Sequence, residues 1–245
     1  MSVYRRLKLP HLHPPGATFS ILFLVNDAVP RPFLRQLSIE RSARLNRIRQ
    51  QKLPGWQRAL REAQKFYDYA LDRALRLHAT QDHPLARPEA AQLMVDQIKK
   101  YQGRHYDLCA YSVMSNHVHM ELDFSIQLPD KWNGEEKIPD YKNVAKVMNL
   151  IKGGSAYQIN KLLDRRGQPL WTKRYRDRFI RDERHLKAAC IYTKQNPVKA
   201  KLVKRWEDHP FTGGMSEQEL SDRRHRRVYP DPGYWIGRLG EYDGG

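Results

Sequence analysis

The sequence predicts an α+β fold in which helices are mixed with a small antiparallel sheet. Three observations lead there. An aromatic and β-branched run stands near the start, two short strand patterns lie close together mid-chain, and helical spacing recurs before, between and after these.

Residues 17–25 (ATFSILFLV) read as a buried strand, ended by Asn26, Asp27 and the prolines Pro30 and Pro32. Residues 33–78 have helical spacing. Leu34, Leu37, Leu45 and Ile48 share one face, Pro54 and Gly55 break it, and a second helix runs through Phe66, Tyr69, Ala70, Arg73 and Leu77. Arg and Glu dominate the outer face, as on a solvated helix. Residues 84–88 are a turn, and Pro88 suits the first position of a helix over 89–100 that Gly103 closes. Its apolar positions are Ala91, Leu93, Met94, Val95 and Ile98. Two short strands follow, around 105–111 and 114–124.

The polar stretch 127–140, with Pro129, Asn133, Gly134 and Pro139, reads as an inserted loop. Helical spacing returns over 141–163 through Val144, Val147, Met148, Ile151, Ile159 and Leu162, where the adjacent Gly153 and Gly154 are costly and invite a kink. After a turn at 165–169, residues 171–181 read as a strand rich in aromatic and basic residues. Asp182 begins a helix through Leu186, Ala189 and Tyr192 that Pro197 stops at about Asn196. From Gly213 the sequence is loop-rich and basic with little core signal. The expected organisation is one domain over 1–212, elaborated at 33–78 and 127–140, followed by a tail over 213–245.

At 245 residues, with 40% hydrophobic and 29% charged residues, the chain is long enough for one domain with a sizeable core. No apolar run approaches the ~18 residues a membrane span needs, and the basic, proline-containing start lacks an apolar signal core, so the protein reads as cytoplasmic with no membrane partner. Cys109 and Cys190 are too few and too far apart for a zinc cluster or a disulfide framework, and read as two buried thiols. The net charge is +17. Residues 152–205 carry sixteen Lys and Arg against four Asp and Glu. That concentration favours a polyanion partner, because each neutralised phosphate releases counterions. Charge alone does not separate DNA from RNA, or an enzyme from a passive binder.

The sharpest local feature is Asn116-His117-Val118-His119. On a strand, residues two apart point to the same face, so His117 and His119 project together. Two neutral imidazoles so placed suit a divalent metal. The same pattern also fits two half-buried strand histidines bonded to backbone. Tyr192 and Asn196, four apart, share a face in the last turn of the late helix. A phenol has a free pKa of ~10 and is a poor nucleophile; a nearby metal and cations make its anion more accessible. The Asn196 amide oxygen is a candidate third ligand. Packing for Tyr192 and helix capping for Asn196 are the plainer readings.

Together these stretches resemble a known family. YSVMSNHVH at 111–119 looks like the histidine-bearing strand of the HUH single-tyrosine (IS200-like) transposases, written MPNHVH there. IYTKQNPVKAKLV at 191–203 looks like that family's tyrosine helix, and LWTKRYRDRFIRDE at 170–183 its tryptophan-bearing strand. HLHPPGATF at 11–19 is similar to a subgroup, the REP-associated tyrosine transposases. The resemblance runs from about Leu9 to Val203, in the same order throughout. It implies a ferredoxin-like (RRM-like) antiparallel sheet flanked by helices, the HUH endonuclease architecture. It also implies metal-dependent transesterification on single-stranded DNA, with a 5′-phosphotyrosine intermediate. His117, His119 and Asn196 match the ligands for Mg2+ or Mn2+, and Tyr192 matches the nucleophile. The implied partner is single-stranded or hairpin DNA of REP type; monomer and homodimer stay open. Ser115 stands where proline is common, and Lys201 replaces the usual glycine after Ala200, which puts that turn in question.

Lys152 is expected to face the site and contact phosphate. Trp171, Tyr175, Arg174, Arg176 and Arg178 combine aromatic stacking with cations, as unpaired nucleic acid requires, although Trp171 also suits a packing role. The run Arg223 to Arg227 is either a DNA contact or a solvated charge run. Two other functions compete: a non-catalytic regulatory DNA- or RNA-binding module, and a metal hydrolase using water, which lacks the extra carboxylates or histidines of a tight site.

Overall fold

The computed structural model describes residues 14–130, 132 and 136–222. A five-stranded antiparallel sheet lies at its centre, in the order β4-β1-β3-β2-β5. The strands are β1 (Thr18–Val25), β2 (Asp107–Val113), β3 (His117–Asp123), β4 (Trp171–Ile180) and β5 (Thr212–Gly214). The helices are α1 (Arg31–Gln51), α2 (Trp56–Leu77), α3 (Pro88–Lys99), α4 (Val144–Leu162), α5 (Glu183–Lys194), α6 (Asn196–Lys199) and α7 (Glu217–Asp222). The order β4-β1-β3-β2, with helices between β1 and β2 and between β3 and β4, is ferredoxin-like. The expected α+β sheet flanked by helices is therefore what the chain builds. No helix among the described residues is long and apolar enough to cross a membrane.

Strand alternation divides the sheet into two faces. Phe19, Ile21 and Phe23 of β1 and Val118, Met120 and Leu122 of β3 lie buried in the main core with Met94 and Ile98 of α3 and Val147, Met148 and Ile151 of α4. The opposite face of β3 presents His117, His119 and Glu121, paired across to Leu24, Leu22 and Ser20 of β1. The helix α5 packs on that face against β2 and β3. Beneath it Cys109, Ala110, Ile180, Leu186, Cys190 and Leu220 form a second, smaller core. Both cysteines are buried and free, as expected.

The helical hairpin α1–α2 forms across Pro54 and Gly55, where Gly55 takes a left-handed φ of 80° to start α2. The helix α4 runs unbroken through Gly153 and Gly154. Gly154 serves close helix approach: a Cβ there would collide with the Gln97 side chain of α3, which donates to the Leu150 carbonyl at 3.0 Å. Asp182 caps α5 by accepting from the His185 amide at 2.7 Å, and α5 ends at Lys194 before Pro197 opens α6.

Residues 212–222, where the sequence reads as loop, carry a short strand and a short helix. β5 adds to the free edge of β2, pairing Ser112 with Thr212 and Ala110 with Gly214, and α7 buries Leu220. Three backbone pairs and one apolar anchor leave a weak periodic signal, which explains why the sequence reads as loop there. Residues 11–13 of the opening HLHPP motif, part of the 127–140 loop and the Arg223 to Arg227 run lie outside the described residues.

Candidate active site

Asn116 sets up the histidine pair. Its side-chain amide donates to the carbonyls of Leu75 (2.9 Å) and Ala28 (3.2 Å), and its oxygen lies 2.7 Å from His117 Nδ1. With Nδ1–H donating to that oxygen, His117 carries its free lone pair on Nε2. Ser115, in the same turn, donates to the carbonyl of Ala79 just past α2. The end of α2 therefore holds the β2–β3 turn through side-chain bonds, which accounts for a hydroxyl where the resemblance has proline.

His117 and His119 are 1% and 7% exposed, with ring centroids 5.0 Å apart. Burial holds the His119 imidazole down at about 4 and His117 well below its ordinary value, so both rings are neutral at pH 7. Their Nε2 atoms are buried without a hydrogen-bond partner. The Asn196 Oδ1, on a residue 1% exposed, is likewise unpartnered, while its Nδ2 donates to the carbonyls of Thr193 (3.2 Å) and Tyr192 (3.4 Å). Buried polar atoms normally find partners. Two bare imidazole nitrogens and a bare amide oxygen are the donor set a divalent cation accepts. Among the described residues no group of three or more His, Cys, Asp or Glu is placed to hold a metal.

Tyr192 lies against this pair, its ring centroid 6.0 Å from that of His119. The residue is 38% exposed. Lys199 of α6 places its ammonium 3.6 Å from the ring centre. From the other side, Asp72 and Arg76 of α2, paired with each other, lie close enough to act on the phenol. Burial first, and the Asp72 carboxylate second, push the Tyr192 phenol above its ordinary value, while Arg76 pulls the other way. The free protein thus holds the phenol protonated, against the expectation that its cationic neighbours ease ionisation. The Asp72 Oδ1 is itself buried and unpartnered.

Behind the tyrosine, Thr193 donates to Glu121 Oε1 at 2.8 Å and Ser20 donates to the same oxygen at 3.0 Å. Burial raises the Glu121 carboxyl to about 7.

His117, His119 and Tyr192 are therefore brought together, and Asn196 follows Tyr192 by one helical turn. Of the β4 residues, Arg176 and Arg178 pair across to Leu22 and Ser20, so they share the histidine face, while Arg174 is exposed where the β1–β4 register shifts. Arg176 reaches Asp68 of α2 at 2.8 Å. Three expected contacts fall elsewhere. Trp171 packs on Phe23 and donates from its indole nitrogen to Ser155 at 3.0 Å, an anchor for α4. Tyr175, opposite Phe23, also turns toward the main core. Lys152 donates to the carbonyls of Thr172 (2.8 Å) and Lys173 (3.1 Å), so its ammonium ties α4 to the start of β4 and does not face the histidines. Helical α4 packs on the other side of the sheet, which is why a lysine on it cannot reach the site.

Asp72, Arg76, Lys199 and Glu121 were not foreseen. An acid and an arginine four apart on a helix look like an ordinary solvated pair, and only the docking of α2 gives Asp72 its place. Lys199, three residues after Asn196, is the one that helical spacing alone could have found.

No family model and no curated protein matches the chain. It is similar to a solved structure described as a REP-associated tyrosine transposase bound to a REP hairpin. The TM-score is 0.45 and the identity 16%, over 94% of this chain and 89% of that one.

Proposed function

We propose that this protein is a metal-dependent single-stranded DNA endonuclease and strand transferase of the HUH single-tyrosine type, with Tyr192 as nucleophile. The observation that carries the reading is the Tyr192 ring lying against His119 of a histidine pair whose Nε2 atoms are buried and unpartnered, with the equally unpartnered Asn196 Oδ1 one helical turn after Tyr192. Those atoms would hold Mg2+ or Mn2+. Such a cation polarises a phosphate oxygen and offsets the charge that develops on it.

The Tyr192 oxygen attacks the scissile phosphorus as its proton passes to Asp72, the carboxylate beside it, whose Oδ1 is buried and unpartnered. The bond from phosphorus to the 3′ oxygen breaks, that oxygen takes up a proton and leaves as a 3′-hydroxyl, and the 5′ phosphate remains on Tyr192. Arg76 and Lys199 neutralise charge around the reacting phenolate. The phosphodiester stored on Tyr192 allows a 3′-hydroxyl to reverse the reaction, so resealing needs no ATP. Arg176 and Arg178 line the same face for the DNA backbone, with the exposed Arg174 further along the strand. The substrate in this reading is a REP-like hairpin beside an unpaired cleavage site.

The test is a labelled hairpin oligonucleotide incubated with Mn2+ or Mg2+ and run on a denaturing gel. A labelled species at protein mass, lost in Tyr192→Phe, is the expected result. Cleavage that survives Tyr192→Phe makes the protein a hydrolase, and native-gel shifts with no denaturant-resistant adduct make it a regulatory binder. Independently of activity, Mn2+ is expected to raise the thermal midpoint, since it binds the folded site, and His117→Ala is expected to abolish that shift.

A further inference from the structure

The hairpin α1–α2 carries charge of its own. Over residues 31–77 there are twelve Lys and Arg against four Asp and Glu. Part of this charge is organised. On α2, Arg58, Arg61, Lys65, Asp68, Tyr69, Asp72, Arg73 and Arg76 fall within an arc of about 140° at 3.6 residues per turn. The half of this stripe nearer the C-terminus reaches the candidate active site: Asp68 binds Arg176, while Asp72 and Arg76 lie beside the Tyr192 phenol. Its other half carries Arg58, Arg61 and Lys65 into solvent, and Tyr69 and Arg73 are exposed along its flank. Among the described residues Arg61, Lys65 and Arg73 form no direct ion pair, Glu62 lying near Arg61 and Lys65 but pairing with Arg58, with both side chains of that pair largely exposed.

We propose that this stripe is a binding track for the unpaired strand that flanks the scissile phosphate, with Arg61, Lys65 and Arg73 on phosphates and Tyr69 stacking a base. The proposal rests on the reading of Tyr192 as the nucleophile only for its polarity, meaning which end of the track meets the reacting phosphate. Three observations support it. Charge complementarity selects a polyanion. The Arg176–Asp68 pair joins the track to β4, so the cations of the helix and those of Arg174, Arg176 and Arg178 are continuous. Exposed rings stand among the cations, Tyr69 at 63% and Phe66 at 55%, the latter with the Arg44 guanidinium 5.7 Å from its centre. Base faces are open to such rings only in an unpaired strand. From Arg58 to Asp72 the helix rises about 20 Å, enough to follow several nucleotides.

The experiment is fluorescence anisotropy of a labelled oligothymidylate without divalent metal, over a salt series. Arg61→Ala/Lys65→Ala/Arg73→Ala is compared with wild type, and the same-length duplex serves as second probe. The triple variant is expected to flatten the plot of log affinity against log salt by about 2, at ~0.7 per lost cation for single strands. Tyr69→Ala is expected to weaken oligothymidylate by about 5- to 100-fold with little change in that slope. These residues are exposed, so circular dichroism and thermal midpoint are expected to match wild type; should the triple variant melt early, each single variant is expected to flatten the slope by about 0.7. Equal slopes for wild type and variants, or a larger loss on duplex than on oligothymidylate, overturns the track. A flattened slope in a protein that forms no Tyr192 adduct leaves the track standing and removes the enzyme. An adduct with unchanged slopes does the reverse.

Discussion

The Thr193 hydroxyl donates to Glu121 Oε1 at 2.8 Å, and this bond joins the residue after Tyr192 to the residue two beyond His119. Ser20 donates to the same oxygen, so β1, β3 and α5 meet at one carboxyl. Helix α5 is otherwise held on this face by a small core, Leu186 and Cys190 among its members. The polar bond therefore sets the rotation that points Tyr192 at the histidines. Thr193→Val keeps the shape and removes the donor. It is expected to lower unfolding stability by about 1–3 kcal/mol in urea melts. It is also expected to slow adduct formation although the nucleophile and donor atoms are untouched. Adduct formation at the wild-type rate in the folded variant would show that the bond does not orient the helix.

Lys199 has its ammonium above the Tyr192 ring, and burial lowers its pKa from the ordinary value, so it is held near the reacting phenol at an electrostatic cost. In the proposed reaction it offsets phosphate charge. Lys199→Ala is expected to reduce the rate of adduct formation by about 10²-fold, the scale for losing one preorganised charge donor. Binding of oligothymidylate is expected to fall little, because many other cations remain. Equal losses in rate and affinity would place Lys199 in general backbone binding instead.

Stability should depend on pH through two opposing groups. His119, at about 4, and His117, lower than its ordinary 6.5, stay neutral in the folded protein while the unfolded chain takes up protons below 6.5. Acidification from 6.5 toward 4 therefore costs stability. Glu121, raised from 4.5 to about 7, takes up its proton in the folded state first, so acidification from 7 toward 4.5 adds stability. For His119 and for Glu121 the effect is on the order of 3 kcal/mol each when fully developed, and His117 adds to that of His119. His117→Gln/His119→Gln is expected to flatten the acid loss in metal-free denaturant melts, and Glu121→Gln to steepen it. The opposite ordering of the two variants would refute the assignment.

Lys201 adopts a left-handed φ of 59°, in the turn where its amide donates to the Val198 carbonyl at 2.9 Å. The turn that a glycine would make is thus retained by a lysine. A left-handed L residue costs roughly 1–2 kcal/mol, partly offset because glycine gains more freedom on unfolding. Lys201→Gly is expected to stabilise the protein by about 0.5–1 kcal/mol, read as a raised thermal midpoint with adduct formation unchanged.

The number and type of elements were legible because each long helix and each core strand carries its own apolar period; β1, α2, α3, α4 and β4 lie within a few residues of where hydrophobic spacing puts them. His117 and His119 were legible as a pair because strand alternation alone makes them neighbours, and Tyr192 with Asn196 because a helical turn does the same. Whether those two pairs meet is not a local property. It follows from the strand order that puts β3 at the centre of the sheet, and from α5 folding back onto the face opposite α3 and α4. The same decision sent Lys152, Trp171 and Tyr175 to the other side. Asp72 and Arg76, more than forty residues before His117, became neighbours of Tyr192 only through packing of α2 against the sheet. Periodicity reports which side of an element is buried, and the partner it is buried against is chosen by the fold as a whole.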